Sequence, residues 1–177
     1  MPLLEADRSV LLLIDFQARL MPAIDQAEST IRNARRLLDA AAILGVPKIF
    51  TEQNAAKLGA TVAELAPGSA PIIHKMSFDA SSGTDLLTRL PPDRAIIVAG
   101  WESHVCVLQT VLGLRAEGRS VSVVADAIGS RRAESKSVAI DRMVRHGADA
   151  VTTEMVLFEW LRSADHPRFR DLSALIK

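Results

Sequence analysis

The sequence predicts an α/β domain with a mainly parallel, doubly wound sheet covered by helices on both faces. Two observations predict it. Short apolar runs such as Ser9-Val-Leu-Leu-Leu-Ile14 show no polar alternation, which is how strands buried on both faces read. These runs alternate with helix-period segments, several of them closed by glycine, and that alternation builds parallel sheets. Another doubly wound arrangement, such as the flavodoxin-like one, fits the same pattern.

Taken in order, Ser9 to Ile14 forms the first strand and ends in Asp15. A loop through Pro22 leads to a helix that Ser29 or Thr30 would cap, running to about Leu44 with Gly45 as its stop. Val46 to Thr51 is the second strand, ending at Glu52-Gln53. A short helix or loop spans Leu58 to Leu65 and closes at Pro67-Gly68. Pro71 to His74 is the third strand, ending at Lys75. A helix from Thr84 to Leu90 stops at Pro91-Pro92. Arg94 to Ala99 is the fourth strand, followed by a helix from Ser103 to Glu117. Val121 to Ala125 is the fifth strand, ending at Asp126. A helix from Ala133 to Arg145, a sixth strand from Ala148 to Thr152 and closing helices complete the chain.

The totals narrow the function. The 177 residues fit one domain, 1–177, with a well-buried core, and no repeat or linker interrupts it. The formal net charge is zero, which argues against nucleic acid or an anionic membrane held by bulk electrostatics. It leaves self-association permitted. One cysteine excludes an internal disulfide framework and a cysteine-rich metal site, and it fits a reducing compartment. The N-terminal segment lacks the pattern of a signal peptide, and no apolar stretch is long enough to span a bilayer. The expected localisation is cytoplasmic.

The organising stretch is Val98-Ala-Gly-Trp-Glu-Ser-His-Val-Cys106. It places the sole cysteine near a helix start, where unsatisfied N–H groups and the helix dipole lower a thiol's pKa and bind an oxyanion. The alternative is a small buried hydrophobe on the helix's inner face. In open α/β sheets, ligands bind beyond the carboxyl ends of the strands. Those ends carry Asp15, Glu52, Lys75 and the turn to Cys106. A carboxylate can take the thiol proton, and an ammonium can stabilise the thiolate. The alternative is that Asp15 and Lys75 form a structural ion pair. The helix start and Lys75 favour thiolate, the Asp15 charge opposes it, and the balance predicts that Cys106 alkylates faster than a free thiol.

Leu12-Leu-Ile-Asp15-Phe-Gln17, Lys75 and Gly100-Trp-Glu-Ser-His-Val-Cys106-Val together resemble the isochorismatase-like cysteine hydrolases, over essentially the whole chain. Thr51-Glu-Gln53, Leu58-Gly-Ala-Thr-Val-Ala-Glu-Leu65 and the closing His166 to Lys177 resemble one branch, the isochorismatase domain-containing proteins. The resemblance implies a three-layer α/β/α sandwich with about six strands. It implies an Asp15–Lys75–Cys106 triad, a cis peptide between Trp101 and Glu102, and an oxyanion hole made by the N–H groups of Glu102 and Cys106. It implies acyl transfer: a Cys106 thiolate attacks an amide carbonyl and water later cleaves the thioester. It also implies a homo-oligomer.

Two departures from the family pattern matter. Nicotinamidases of the family bind a metal through an Asp/His/His set near the second strand's end. Here that region reads Phe50-Thr-Glu-Gln-Asn54, without histidine, so no metal and no cofactor are expected. The isochorismate-cleaving members hydrolyse a vinyl ether without needing the cysteine, so Cys106 favours an amide-type substrate. Phe16, Gln17, Glu52, Phe78 and Trp101 are candidates for the pocket of a small acyl group, with plain core packing the alternative for Phe16 and Phe78 and solvation the alternative for Glu52. A vinyl ether hydrolase and a non-catalytic interaction protein of the same fold remain competing readings.

Overall fold

A computed structural model of the chain describes residues 3–177, so Met1 and Pro2 of the N-terminal segment lie outside the described residues. Six strands form one sheet: β1 (Ser9–Ile14), β2 (Lys48–Gln53), β3 (Ile72–Lys75), β4 (Ala95–Trp101), β5 (Val121–Gly129) and β6 (Asp149–Val151). Their order is β3-β2-β1-β4-β5-β6, and every neighbouring pair is parallel. The chain starts at the centre, winds outward to β3, then returns to β4 beside β1. The crevice between β1 and β4 is therefore the switch point, where such sheets bind ligands.

The unalternated run of β1 follows from this central place. Val10 to Ile14 are inaccessible to solvent because helices cover both faces. On one side Leu11, Leu13 and Phe50 pack under helices α1 (Ala27–Leu44), α6 (Thr153–Leu161) and α7 (Phe169–Ala174), which contribute Leu37, Leu157, Trp160 and Leu172. On the other, Val10, Leu12, Ile14 and Ile49 pack under α3 (Leu86–Arg89), α4 (Leu108–Ala116) and α5 (Ala133–Arg145) through Leu86, Val111, Leu114 and Met143. A four-residue helix, α2 (Ala55–Leu58), follows β2.

Several boundaries differ from the sequence pattern, each for a local reason. α1 begins at Ala27 with Gln26 left-handed before it, so neither Ser29 nor Thr30 is the cap. The Thr30 hydroxyl instead donates to the Ala27 carbonyl and accepts the Trp101 indole N–H. α3 is a single turn because Thr84 is a turn residue, its hydroxyl donating to Ala80 O and accepting from Leu86 N. β5 does not end at Asp126. Its pairing with β4 passes from Val98↔Val123 to Gly100↔Ile128, leaving extra chain in β5. The bulge turns the Asp126 carboxylate to accept both the N–H and the hydroxyl of Thr153, at 2.8 and 2.9 Å. The helix expected from Ser103 is divided: a π-helical turn, Ser103–Val107, precedes α4.

Candidate active site

Asp15 stands one residue past β1 with φ +50°, a left-handed conformation that an aspartate tolerates better than most residues. Its backbone N–H still pairs with Thr51 O at 3.2 Å, continuing the sheet, while its carbonyl accepts from Gln17 N at 2.7 Å. The change of direction drops the carboxylate into the crevice beside β2. There Oδ1 accepts the Thr51 hydroxyl at 2.5 Å and Oδ2 accepts the Lys75 ammonium at 2.6 Å. Both charged side chains are inaccessible to solvent. Lys75 also donates to the carbonyls of Ser77 at 3.2 Å and Phe78 at 3.4 Å, so each of its three protons has an acceptor. Such a pair repays its desolvation only when fully hydrogen-bonded, as here.

Cys106 sits in the π-helical turn, 3% exposed, on the same side of the sheet as Ile14, Ile49 and Ile73. The turn is a local widening of the kind that often marks functional positions in helices. Close approach of β4 to β1 sets its starting point. A side-chain carbon on Gly100 would overlap the Ile14 carbonyl and lie 2.7 Å from Ile14 Cβ. The Trp101–Glu102 peptide bond that follows is cis. The Glu102 carbonyl then accepts from Val105 N at 3.0 Å and Val107 N at 3.2 Å, fixing the turn that carries Cys106. Arg131 holds the Glu102 carboxylate through Nε at 2.6 Å and Nη2 at 3.4 Å.

The thiol's electrostatics correct the expectation of a ready thiolate. Burial, and then the charge of Asp15, push Cys106 from 9.0 up to about 12; Lys75 pulls the other way and is outweighed. The resting residue is a thiol. Its sulfur donates to Gln53 Oε1 at 3.4 Å, and Asp15 lies near enough for its charge to act on the thiol.

The pocket residues expected from the sequence divide. Phe16 and Trp101 are core side chains, in contact at a ring-centroid distance of 4.9 Å on the α1 side, away from the thiol. They form no wall for a substrate, because the indole N–H that could have faced a ligand is spent on Thr30. Gln17 is fully buried and uses its amide on main chain: Nε2 donates to Gln53 O at 3.0 Å and Gly59 O at 2.6 Å, and Oε1 accepts Gln53 N at 2.9 Å. It is a brace for β2 rather than a ligand group. Side chains alternate along β2, so Glu52 shares the α1 side with Phe50, while Thr51 and Gln53 share the Cys106 side. Glu52 Oε1 accepts the N–H and hydroxyl of Thr61 at 2.8 and 2.9 Å, and Oε2 lies 3.7 Å from His74 Nδ1. It also lines a cavity of about 650 Å³ with His74, Lys75, Met76 and Thr84. Phe78 is half-exposed on the loop that Lys75 anchors. Among the described residues no group of three or more His, Cys, Asp or Glu could hold a metal ion.

Sequence reasoning assigned no role to Thr51, Gln53, Thr110 or Arg131. The period-two parity of β2 was the available signal for the first two. Thr110 and Arg131 carry none, since α4 and the β5–α5 loop meet their partners only in the fold. Thr110 Oγ1 accepts Ala80 N at 2.9 Å and so docks the loop after Lys75 onto α4.

With this geometry in hand, comparison with known proteins is decisive. The family model described as the isochorismatase domain matches residues 9–155. The chain belongs to the isochorismatase domain family. It is 36% identical over 172 residues to isochorismatase domain-containing protein 1 of Salmo salar, covering 96% of this chain and 61% of that protein. It is 36% identical over 170 residues to isochorismatase domain-containing protein 2 of Danio rerio, covering 95% and 86% respectively. The chain thus spans about three fifths of the length of the first of these relatives. Among solved isochorismatase-like structures, YcaC from Pseudomonas aeruginosa, with hexane-2,5-diol and covalent acrylamide, superposes with a TM-score of 0.92 at 25% identity. That match covers 99% of this chain and 90% of the other. The MAR1 ribonuclease of Caenorhabditis elegans gives 0.88 at 34% identity, over 98% and 91%. The YcaC product of Escherichia coli, described as an octameric hydrolase of unknown specificity, gives 0.87 at 27%, over 98% and 96%. The isochorismatase-family assignment makes the chain a hydrolase-family α/β protein with a six-stranded, all-parallel sheet.

Proposed function

We propose that the chain is a cysteine hydrolase of small molecules that cleaves a carbon–nitrogen, amide-type bond through a thioester on Cys106. The observation that carries this reading is the buried Asp15–Lys75 pair, 2.6 Å long, beside the chain's only thiol. Asp15 accepts the Cys106 proton as the sulfur attacks the acyl carbon. The substrate carbonyl becomes an oxyanion held by the N–H groups of Glu102 and Cys106. Collapse breaks the C–N bond, and Asp15 returns the proton to the leaving amine. Water then cleaves the thioester, giving the acid and regenerating the thiol. Lys75 stays charged throughout and fixes the carboxylate. No step uses a metal or cofactor.

Covalent acrylamide on a relative of this fold is consistent with a nucleophile in it, and Cys106 is the group in this chain suited to that role. The net charge of zero gives RNA no bulk electrostatic hold, so a small molecule is favoured over the substrate that the ribonuclease name of another relative suggests. Self-association belongs to the same reading, in line with the octameric relative.

The test is a screen of small amides, with an RNA and a vinyl ether acid alongside. Ammonia or amine release is expected from at least one amide, unaffected by chelators and abolished in Cys106→Ala. Hydrolysis that persists in Cys106→Ala would transfer the reading to acid-catalysed ether cleavage. No turnover of any class by a folded protein would support a non-catalytic role.

A further inference from the structure

Cys106 has one proton, and two groups bear on it. One is Asp15, the base of the mechanism above, on which this inference rests. The other is Gln53 Oε1, 3.4 Å from the sulfur. Gln53 is the last residue of β2, and its main chain is clamped from both sides. Its N–H donates to Gln17 Oε1 at 2.9 Å and its carbonyl accepts Gln17 Nε2 at 3.0 Å. Gln17 is itself buried and tied to Gly59. The side-chain amide is steadied at its other end by Met76 O, which accepts from Nε2 at 3.4 Å. A brace of this kind is more than strand pairing needs. It aims one amide carbonyl at one thiol.

We propose that Gln53 is a positioning residue of the acyl-transfer site, accepting the Cys106 S–H, fixing the sulfur's orientation and sharing its proton with Asp15. The amide is neutral, so it holds the thiol without adding a second negative charge to a crevice that already contains Asp15. In the resting protein it stabilises the protonated form, because a hydrogen bond accepted from S–H is lost on ionisation. When substrate draws the proton to Asp15, Gln53 releases it, and no group gains or loses an electron.

The sole cysteine makes the test clean: alkylation by iodoacetamide, followed by intact mass, reads Cys106 alone. Rates are measured from pH 7 to 10 for wild type, Gln53→Met and Gln53→Glu. Methionine keeps the length and removes the acceptor; glutamate keeps the acceptor and adds a charge. Gln53→Met is expected to react about three- to tenfold faster at a fixed pH, a shift of half to one pKa unit, and Gln53→Glu slower than wild type by a similar factor. A change in the same direction for both variants would mean only that the pocket had loosened, and would overturn the proposal. Unchanged rates in both would overturn it as well. The readout needs no substrate, so it stands or fails separately from amide hydrolysis.

Discussion

At the scale of single residues, Asp15 shows how much one backbone angle decides. Its left-handed φ turns the carboxylate off the strand, where Thr51 and Lys75 bind separate oxygens. Backbone held in such a sparsely populated region concentrates where function is set. The same carboxylate, together with burial, keeps Cys106 a thiol and gives stability a defined pH dependence. Burial and Asp15 raise the folded thiol to about 12 from 9.0. From pH 9 upward the unfolded chain releases this proton while the native protein retains it. The unfolded state therefore binds fewer protons, and stability falls as pH rises through that window. The contribution is fully present below pH 9 and lost by about pH 12. A Cys106→Ser variant cannot ionise there. Between pH 8 and 10.5, wild type should lose about 1–2 kcal/mol more than this variant in urea melts. Parallel losses would show that the thiol is not held protonated.

At the scale of elements, the site depends on how tightly β4 lies against β1. Gly100 is the contact point, since any side chain there meets Ile14 backbone and Cβ. Neither partner can retreat, because Ile14 is wholly buried in the central strand. Gly100→Ala is expected to cost about 1–3 kcal/mol, as overpacking in a close-packed interior does. It should also displace the turn bearing Cys106, so iodoacetamide labelling should change along with the denaturation midpoint. An unaltered midpoint would show that β4 has slack. On the other side of the site, α4 receives the loop after β3 at another glycine. A side-chain carbon on Gly113 would overlap Ser81 Oγ and lie 2.6 Å from Asp79 Oδ2. Lys75 and Cys106 thus sit on segments that are each fixed by a glycine contact.

At the scale of the whole molecule, the apolar residues of α6 divide between core and surface. Leu157 and Trp160 are buried under the sheet, as side chains of one subunit should be. Met155 and Phe158 are 44% and 41% exposed, and Phe158 faces Phe169 at 6.4 Å. Exposed aromatic and aliphatic pairs of this kind are candidates for a self-complementary contact, the commonest symmetric solution. Light scattering at micromolar concentration should give a mass of a dimer or larger, and Phe158→Asp should lower it. A monomer mass for wild type would leave self-association without support.

Unalternated apolar runs are legible without coordinates, because a strand covered on both faces has no polar side to show. The sequence alone therefore determined the parallel sheet, the strand ends at Asp15 and Lys75, and the place of Cys106 after β4. It also placed Gly45 as the stop of α1, since only a left-handed position needs glycine there. It could not determine which strand ends become neighbours. β1 and β3 are separated by β2, and Lys75 crosses Thr51 and Gln53 to reach Asp15 only because the sheet order is β3-β2-β1-β4. Nor could it tell a core aromatic from a pocket wall: Trp101 and Phe16 adjoin the site in sequence, yet strand parity sends Trp101 to the other face, and the left-handed turn at Asp15 breaks the alternation and sends Phe16 there too. Only the tertiary structure decided the ionisation of Cys106. That depends on total burial and on a carboxylate supplied from 91 residues away in sequence, and through-space electrostatics leave no local mark in a chain.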